Sequence, residues 1–333
     1  MNRSLFCSAI LLFSSLMISG CNSQPQEKTH LTVWLDMREQ QLELVKQARS
    51  RFQQKHQGTE IAIDIVPFHG SKDLILSENT VKPDLFLGVN DWLTELCEKK
   101  AVSEFPPDKR SGEFPPQLLD PLTKDGNLMA LPYSFEYLAL FYHRGTVEPP
   151  DSVEDLYRLK VQFHDGPVLA YDIANLYYHF PFLSCFMEQD FGLSTLFSDA
   201  MEQSVSVIKK LIDEGLIPEN CTYELARNLF LSGQVPLFLT GPWDMELMNP
   251  DKIGIAPLFS LNGKSCRPFL GIKCFFIGSA SRNPDLAREF LYSILSPDFQ
   301  KKLLENRIPP ACRSAVPAAD DKFQSFFYQN IGP

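Results

Sequence analysis

Two periods of apolar and polar residues run along this chain, and the switches between them mark out its elements. Leu31-Thr-Val-Trp-Leu35 is a compact β-prone run. After it, Leu42, Val45, Ala48 and Phe52 recur at helical spacing with Glu, Gln, Lys and Arg between them, predicting a helix over Glu39–Gln57 that stops at Gly58. Ile61, Ile63 and Ile65 then alternate as a strand, so residues 31–65 read as a strand–helix–strand unit with a parallel pair. Pro83-Asp-Leu-Phe-Leu-Gly88 is a third short buried strand, and Asn90 or Asp91 can cap a helix over Trp92–Lys100. A proline-rich loop covers Phe105–Asp120. Two apolar strands follow, Leu128–Tyr133 and Tyr137–Tyr142, around Ser134-Phe-Glu136. Ser152 with Asp155 three residues on forms a cap for the next helix.

Pro167–Tyr171 reads as a strand, followed by helices at Asn175–Met187, Ser198–Glu214 and Tyr223–Leu231. Strands are expected at 252–257 and 269–278, with closing helices at Pro284–Leu295 and Pro297–Glu305. The class is α/β, without heptads. Within it, Val235–Asp244 is a strand around Leu237–Leu239 that breaks at Gly241-Pro242 and hands over to a helix, with Pro242 suited to an early helical position. Trp243 therefore lies at a strand-to-helix turn, either as a plug for the core or as a platform for a ligand. Other strand ends carry similar residues: Asp36 and Arg38, Asp91 and Trp92, Glu136, and Tyr177-Tyr178. Open sheets bind ligands beyond the carboxyl ends of their strands. Carboxylates and an arginine fork hydrogen-bond hydroxyls, while aromatic faces cover the C–H face of a sugar.

Composition narrows the partners. With 44% hydrophobic and 22% charged residues the chain is ordinary for a globular protein, and at 333 residues it has room for two domains. A formal net charge of −10 spread along the chain leaves no basic footprint for nucleic acid. Residues 1–20 read as a leader: Arg3, then an apolar stretch from Leu5 to Ile18, then Ile-Ser-Gly-Cys21, the pattern of a bacterial lipoprotein signal whose cysteine carries the lipid. Residues 21–29 are a polar tether. No later run of about eighteen apolar residues follows, so the expectation is an exported domain anchored to the membrane through lipid at Cys21 without spanning it. The six remaining cysteines contain no Cys-x-x-Cys pair; Cys266 and Cys274 could face each other if a hairpin lies between them, but buried free thiols are the expected state for most of the six.

Motif chemistry is mostly absent. Gly263-Lys264-Ser265 resembles the tail of a phosphate loop, but Leu258 stands where the motif needs its first glycine. No zinc-protease, nucleophile-elbow or dinucleotide motif occurs, and neither a metal nor a cofactor is expected.

The order of Leu31-Thr-Val-Trp-Leu-Asp36, Pro83-Asp-Leu-Phe-Leu, Met129–Tyr142, Gly241-Pro-Trp243, Lys264–Ile272 and Asn283–Leu291 resembles the extracellular solute-binding proteins of ABC importers, closest to the maltose/maltodextrin-binding branch. The resemblance implies a type II-like periplasmic-binding-protein fold: two discontinuous α/β lobes, 28–134 with 273–315 and 137–268 with 316–333, joined by a hinge over a ligand cleft. It further implies a monomer that binds a malto-oligosaccharide-like carbohydrate and delivers it to the permease. Carried over by position, polar contacts fall on Asp36, Arg38, Asp91 and Glu136, and second-lobe aromatics on Tyr177 and Trp243. Two positions depart. Gly88 replaces an aromatic, for which Trp92 is the candidate substitute, and Asn175 replaces an acid. The family pattern also continues past the point where this sequence stops, leaving either a truncated sequence or a more open cleft. A polyamine ligand, a glycoside hydrolase using two of the carboxylates and a surface adhesin remain as alternatives.

Overall fold

The structure is a computed structural model that describes residues 28–106, 109–163, 166–188, 191–315 and 321–331. The leader, Cys21 and most of the tether lie outside the described residues. The chain begins with β1 (Thr29–Leu35), crosses a helix at Glu39–Lys55, and pairs β2 (Thr59–Ile65) parallel to β1. One face of that helix is apolar at Val45, Ala48 and Phe52, and all three are buried. β3 (Leu85–Val89) lies parallel to β1 on its other side, and β4 (Val102–Ser103) forms the far edge of the sheet. A hairpin of β5 (Thr123–Lys124) and β6 (Asn127–Leu128) turns at Asp125-Gly126, both with positive φ, a conformation that Asp-Gly tolerates in a tight hairpin.

β7 (Leu131–Glu136) is still in the first sheet, yet after Tyr137 and Leu138 the chain enters β8 (Ala139–His143) of a second sheet. With β9 (Leu169–Ala170), β10 (Leu237–Thr240) and β11 (Ile253–Ala256), that sheet has the order β11-β8-β10-β9. Alternation along these strands sorts their side chains onto two faces. Leu140, Leu237 and Leu239 enter one core with Tyr171, Phe182 and Ile217, while Phe141 and Phe238 turn to the other. A second hairpin, β12 (Ser260–Leu261) with β13 (Lys264–Ser265), turns at Asn262-Gly263, both at positive φ. The glycine of the phosphate-loop-like tripeptide is thus a hairpin residue. β14 (Gly271–Gly278) then returns to the first sheet, antiparallel to β3, β4 and β7. Two lobes thus share their chain.

Features outside the sequence's expectation include a short helix at Pro116–Leu119, inside the expected loop. A helix at Phe68–Leu76 is broken at Gly70, whose φ of 92° only glycine adopts readily. At the end of the chain a helix at Lys322–Gln329 lies across the crossing between lobes. Phe323 meets Phe141 of the second sheet, Tyr328 meets Phe135 of the first, and Tyr137 donates its hydroxyl to the Phe327 carbonyl at 2.8 Å. This helix therefore contacts both lobes. Among the described residues, no helix is long and apolar enough to cross a membrane.

Candidate functional site

The site is built outward from the end of β10. Thr240 closes the strand, and Pro242–Leu247 continues as a 3-10 helix, a tighter turn than the helix the sequence suggests. The carboxylate of Asp244 is buried inside this turn, where it accepts hydrogen bonds from Thr240 Oγ1 at 2.5 Å and Tyr223 Oη at 2.7 Å. Asp244 thus anchors the turn, and Trp243 beside it is left half-buried at the surface. Gly241 explains how the indole fits. A Cβ at that position would stand 2.2–2.6 Å from three ring carbons of Trp243, so the ring folds back over a backbone that must carry no side chain.

Tyr177 and Tyr178 surround this indole. Their ring centroids lie 6.1 and 6.3 Å from that of Trp243, the Tyr178 pair edge to face. Both tyrosines begin the helix Leu176–Ser184, whose N-cap is Asn175; its Oδ1 accepts the Tyr177 amide at 3.0 Å. Asn175 therefore positions the tyrosines through its cap. The Tyr177 hydroxyl is buried and has no hydrogen-bond partner among the described residues. Burial, with Glu136 and Asp91 of the first lobe nearby, pushes its phenol well above the ordinary range. An unpartnered buried hydroxyl costs about 1–3 kcal/mol, so a hydroxyl-bearing ligand that reached it would recover part of that.

Across the cleft, Arg38 follows β1 and reaches the second lobe. Its Nη1 meets Glu246 Oε2 at 3.0 Å and its Nη2 donates to the Trp243 carbonyl at 3.0 Å. Glu136, at the end of β7, is paired with Lys273 of β14 at 3.5 Å. Arg307 donates to the carbonyls of Met245 at 2.5 Å and Met248 at 2.7 Å, holding the far end of the 3-10 turn. Asp91 stands at the surface, in surroundings crowded enough to raise its carboxyl above the ordinary value of 3.8 by desolvation.

Two of the residues singled out by sequence have other partners here. Asp36 is exposed, but its Oδ2 accepts the Phe68 amide at 2.5 Å, which ties the end of β1 to the kinked helix. Trp92 is only 7% exposed and stacks on Phe68 at 5.0 Å. A Cβ on Gly88 would fall 2.7 Å from its ring, so the indole fills the space that a larger residue at 88 would need. Trp92 belongs to the first lobe's core in this conformation and does not offer an open face to the cleft.

Arg38, Glu136 and Trp243 line one recess, and Tyr177 stands against Trp243; Asp91 makes no direct contact with them among the described residues. Sequence reading missed Glu246, Lys273 and Arg307, whose roles come from contacts between residues far apart in the chain; Arg38 and Glu246, for example, are separated by 208 positions. The recess bounded by Arg38, Glu136, Trp243, Lys273 and Arg307 has a volume of about 40 Å³. Small-molecule sites usually measure about 300–1,000 Å³, so this recess is far smaller than such a site. Larger recesses lie elsewhere, about 480 Å³ along Gly145–Gln162 and about 790 Å³ beside Phe52 and Tyr292, but neither contains this aromatic cluster. No group of three or more metal-ligating side chains occurs among the described residues.

The description of the family that matches residues 47–325 is bacterial extracellular solute-binding protein. The chain belongs to that family. This solute-binding protein is 26% identical, over 82% of its length, to the maltotriose-binding protein of Pyrococcus abyssi (strain GE5 / Orsay), and the matched region spans 64% of that relative. It is 24% identical to the galactooligosaccharide-binding protein of Bacillus subtilis (strain 168), covering 92% of this chain and 81% of the relative. Its fold matches that of the Thermus thermophilus maltotriose binding protein bound with maltotriose, with a TM-score of 0.74, 23% identity and coverage of 90% and 86% of the two chains. The two-lobed binding fold expected from the sequence is therefore present. These relatives are named for binding, not for catalysis, which sets the hydrolase alternative aside.

Proposed function

We propose that this protein is the carbohydrate-capturing subunit of an ABC importer, binding a malto-oligosaccharide-like sugar between its lobes and delivering it to the permease. The observation that carries this reading is the cluster of Trp243, Tyr177 and Tyr178 opposite Arg38 and Glu136, with the Tyr177 hydroxyl unpartnered among the described residues. Stacking would supply much of the affinity, and the polar groups would fix the sugar's orientation. The relatives named for maltotriose and galactooligosaccharide support a sugar over other solutes. Arg38 and Lys273 in the same recess disfavour a polyamine, because cations repel it.

Capture follows a hinge cycle. Arg38 bridges to Trp243 and Glu246 in the closed form; opening releases those contacts, and ligand then substitutes for them as the lobes close again. The lobes divide as 28–134 with 273–315 and 137–268 with 316–333. Cys21 carries the lipid that keeps the monomeric domain at the membrane near its permease. A thermal-shift screen against maltotriose, longer maltodextrins, galacto-oligosaccharides and polyamines tests the ligand class: the expected result is a rise in Tm with the glucose oligomers. A rise with polyamines alone would overturn it.

A further inference from the structure

Two cysteines that stand 81 positions apart in the chain meet in the second lobe. Cys185 directly follows the helix Leu176–Ser184, and Cys266 directly follows β13; they are 3% and 6% exposed, and their sulfurs are 3.2 Å apart. A disulfide needs about 2.05 Å, so a closure of about 1 Å would join them. The spacing in sequence left a Cys266–Cys274 pair open beside buried free thiols. Cys274 lies within β14, between Gly88 of β3 and Pro132 of β7.

The backbone on both sides is already held in register for the bond. Ser184 Oγ accepts the Arg267 amide at 2.9 Å, and the rings of Phe180 and Phe269 stack with centroids 3.4 Å apart. The hydrogen bond between the two thiols lowers that of Cys185 and raises that of Cys266.

We propose that Cys185 and Cys266 are oxidised to a disulfide in the exported protein, stapling the helix that carries Tyr177 and Tyr178 to the segment that leads back into β14. The oxidant is a disulfide, either of a thiol oxidase or of glutathione. The Cys185 thiolate attacks one of its sulfurs, forming a mixed disulfide and releasing the first thiolate. Cys266 then attacks the Cys185 sulfur and expels the second. Two thiols lose two protons and two electrons, and the oxidant's disulfide is reduced to two thiols. The bond constrains the unfolded chain across a long loop, so the oxidised protein should melt roughly 5 °C above the reduced one. The inference requires export but not that the ligand be a sugar.

The test is thiol counting and peptide mapping on the full chain purified from the cell envelope. The protein is denatured in a thiol-reactive maleimide with and without prior reduction, then digested without reduction. The expected result is two fewer reactive thiols before reduction, and a linked peptide pair containing Cys185 and Cys266. Cys185→Ala and Cys266→Ala should each abolish the difference, while Cys97→Ala keeps it. Equal thiol counts, or a linked pair that joins other cysteines, would overturn the proposal. Mapping of the unaltered chain decides the matter even where a variant fails to fold.

Discussion

Gly241→Ala is the sharpest probe of how the Trp243 platform is made. The backbone there is extended, with φ −115° and ψ −173°, which alanine adopts without strain, so the perturbation is purely steric. The added methyl would lie 2.2, 2.4 and 2.6 Å from ring carbons Cζ3, Cη2 and Cε3 of Trp243, more than 1 Å inside ordinary contact. If the indole shifts only far enough to relieve the overlap, the strain costs about 1–3 kcal/mol of stability. If it swings away, it forfeits its contacts with Tyr177 and Tyr178, each worth about 0.5–1.5 kcal/mol, and the ligand loses its stacking face. Both routes displace the ring, so affinity for maltotriose should fall about tenfold or more, where each factor of ten is about 1.4 kcal/mol. Calorimetric titration beside a denaturation curve separates lost binding from lost folding. A folded Gly241→Ala protein that binds with unchanged affinity would refute the reasoning.

Arg38→Ala removes the clasp between the lobes. Its ion pair with Glu246 is half exposed, so stability should change by less than about 1 kcal/mol, while the ligand-free protein opens and its radius of gyration rises in solution scattering; an unchanged radius would contradict the clasp. Trp92→Ala should cost about 3–5 kcal/mol of stability in denaturant titration, because the ring is buried against Phe68, and ligand affinity should hold in the folded fraction. Asp91 has its folded pKa raised by desolvation. Its contribution to stability is therefore complete below the ordinary value of 3.8 and is lost as pH rises through the folded value. Asp91→Asn should accordingly match the parent Tm at low pH and exceed it above that window; a constant offset across pH would argue against the crowding.

The sequence carried most of the architecture because its signals were local. Ile61, Ile63 and Ile65 alternate, Val45, Ala48 and Phe52 share a helical face, and Ser152 with Asp155 does cap its helix, with Asp155 Oδ2 accepting the Ser152 amide at 3.1 Å. The Asn262-Gly263 hairpin is equally local, because Asn-Gly favours the positive φ that both residues adopt. Gly241-Pro-Trp243 marked the right turn without showing why glycine was needed, since that reason is the position of a ring. What stayed hidden depends on long-range closure. The Arg38 bridge, the fate of Trp92 above Gly88, the meeting of Cys185 with Cys266 and the seat of the last helix all join residues far apart or packed in three dimensions. Asp36 shows the same limit from the other side: the residue follows its strand as expected, but Phe68 claims its carboxylate.

The central claim is that ligand lies on Trp243 between the lobes. Calorimetric titration of Trp243→Ala against maltotriose and longer maltodextrins, beside the parent protein, tests it most directly. The account predicts that the parent binds the series and that the variant, still folded, loses at least about tenfold in affinity for each member. Equal affinities in the two proteins would contradict it.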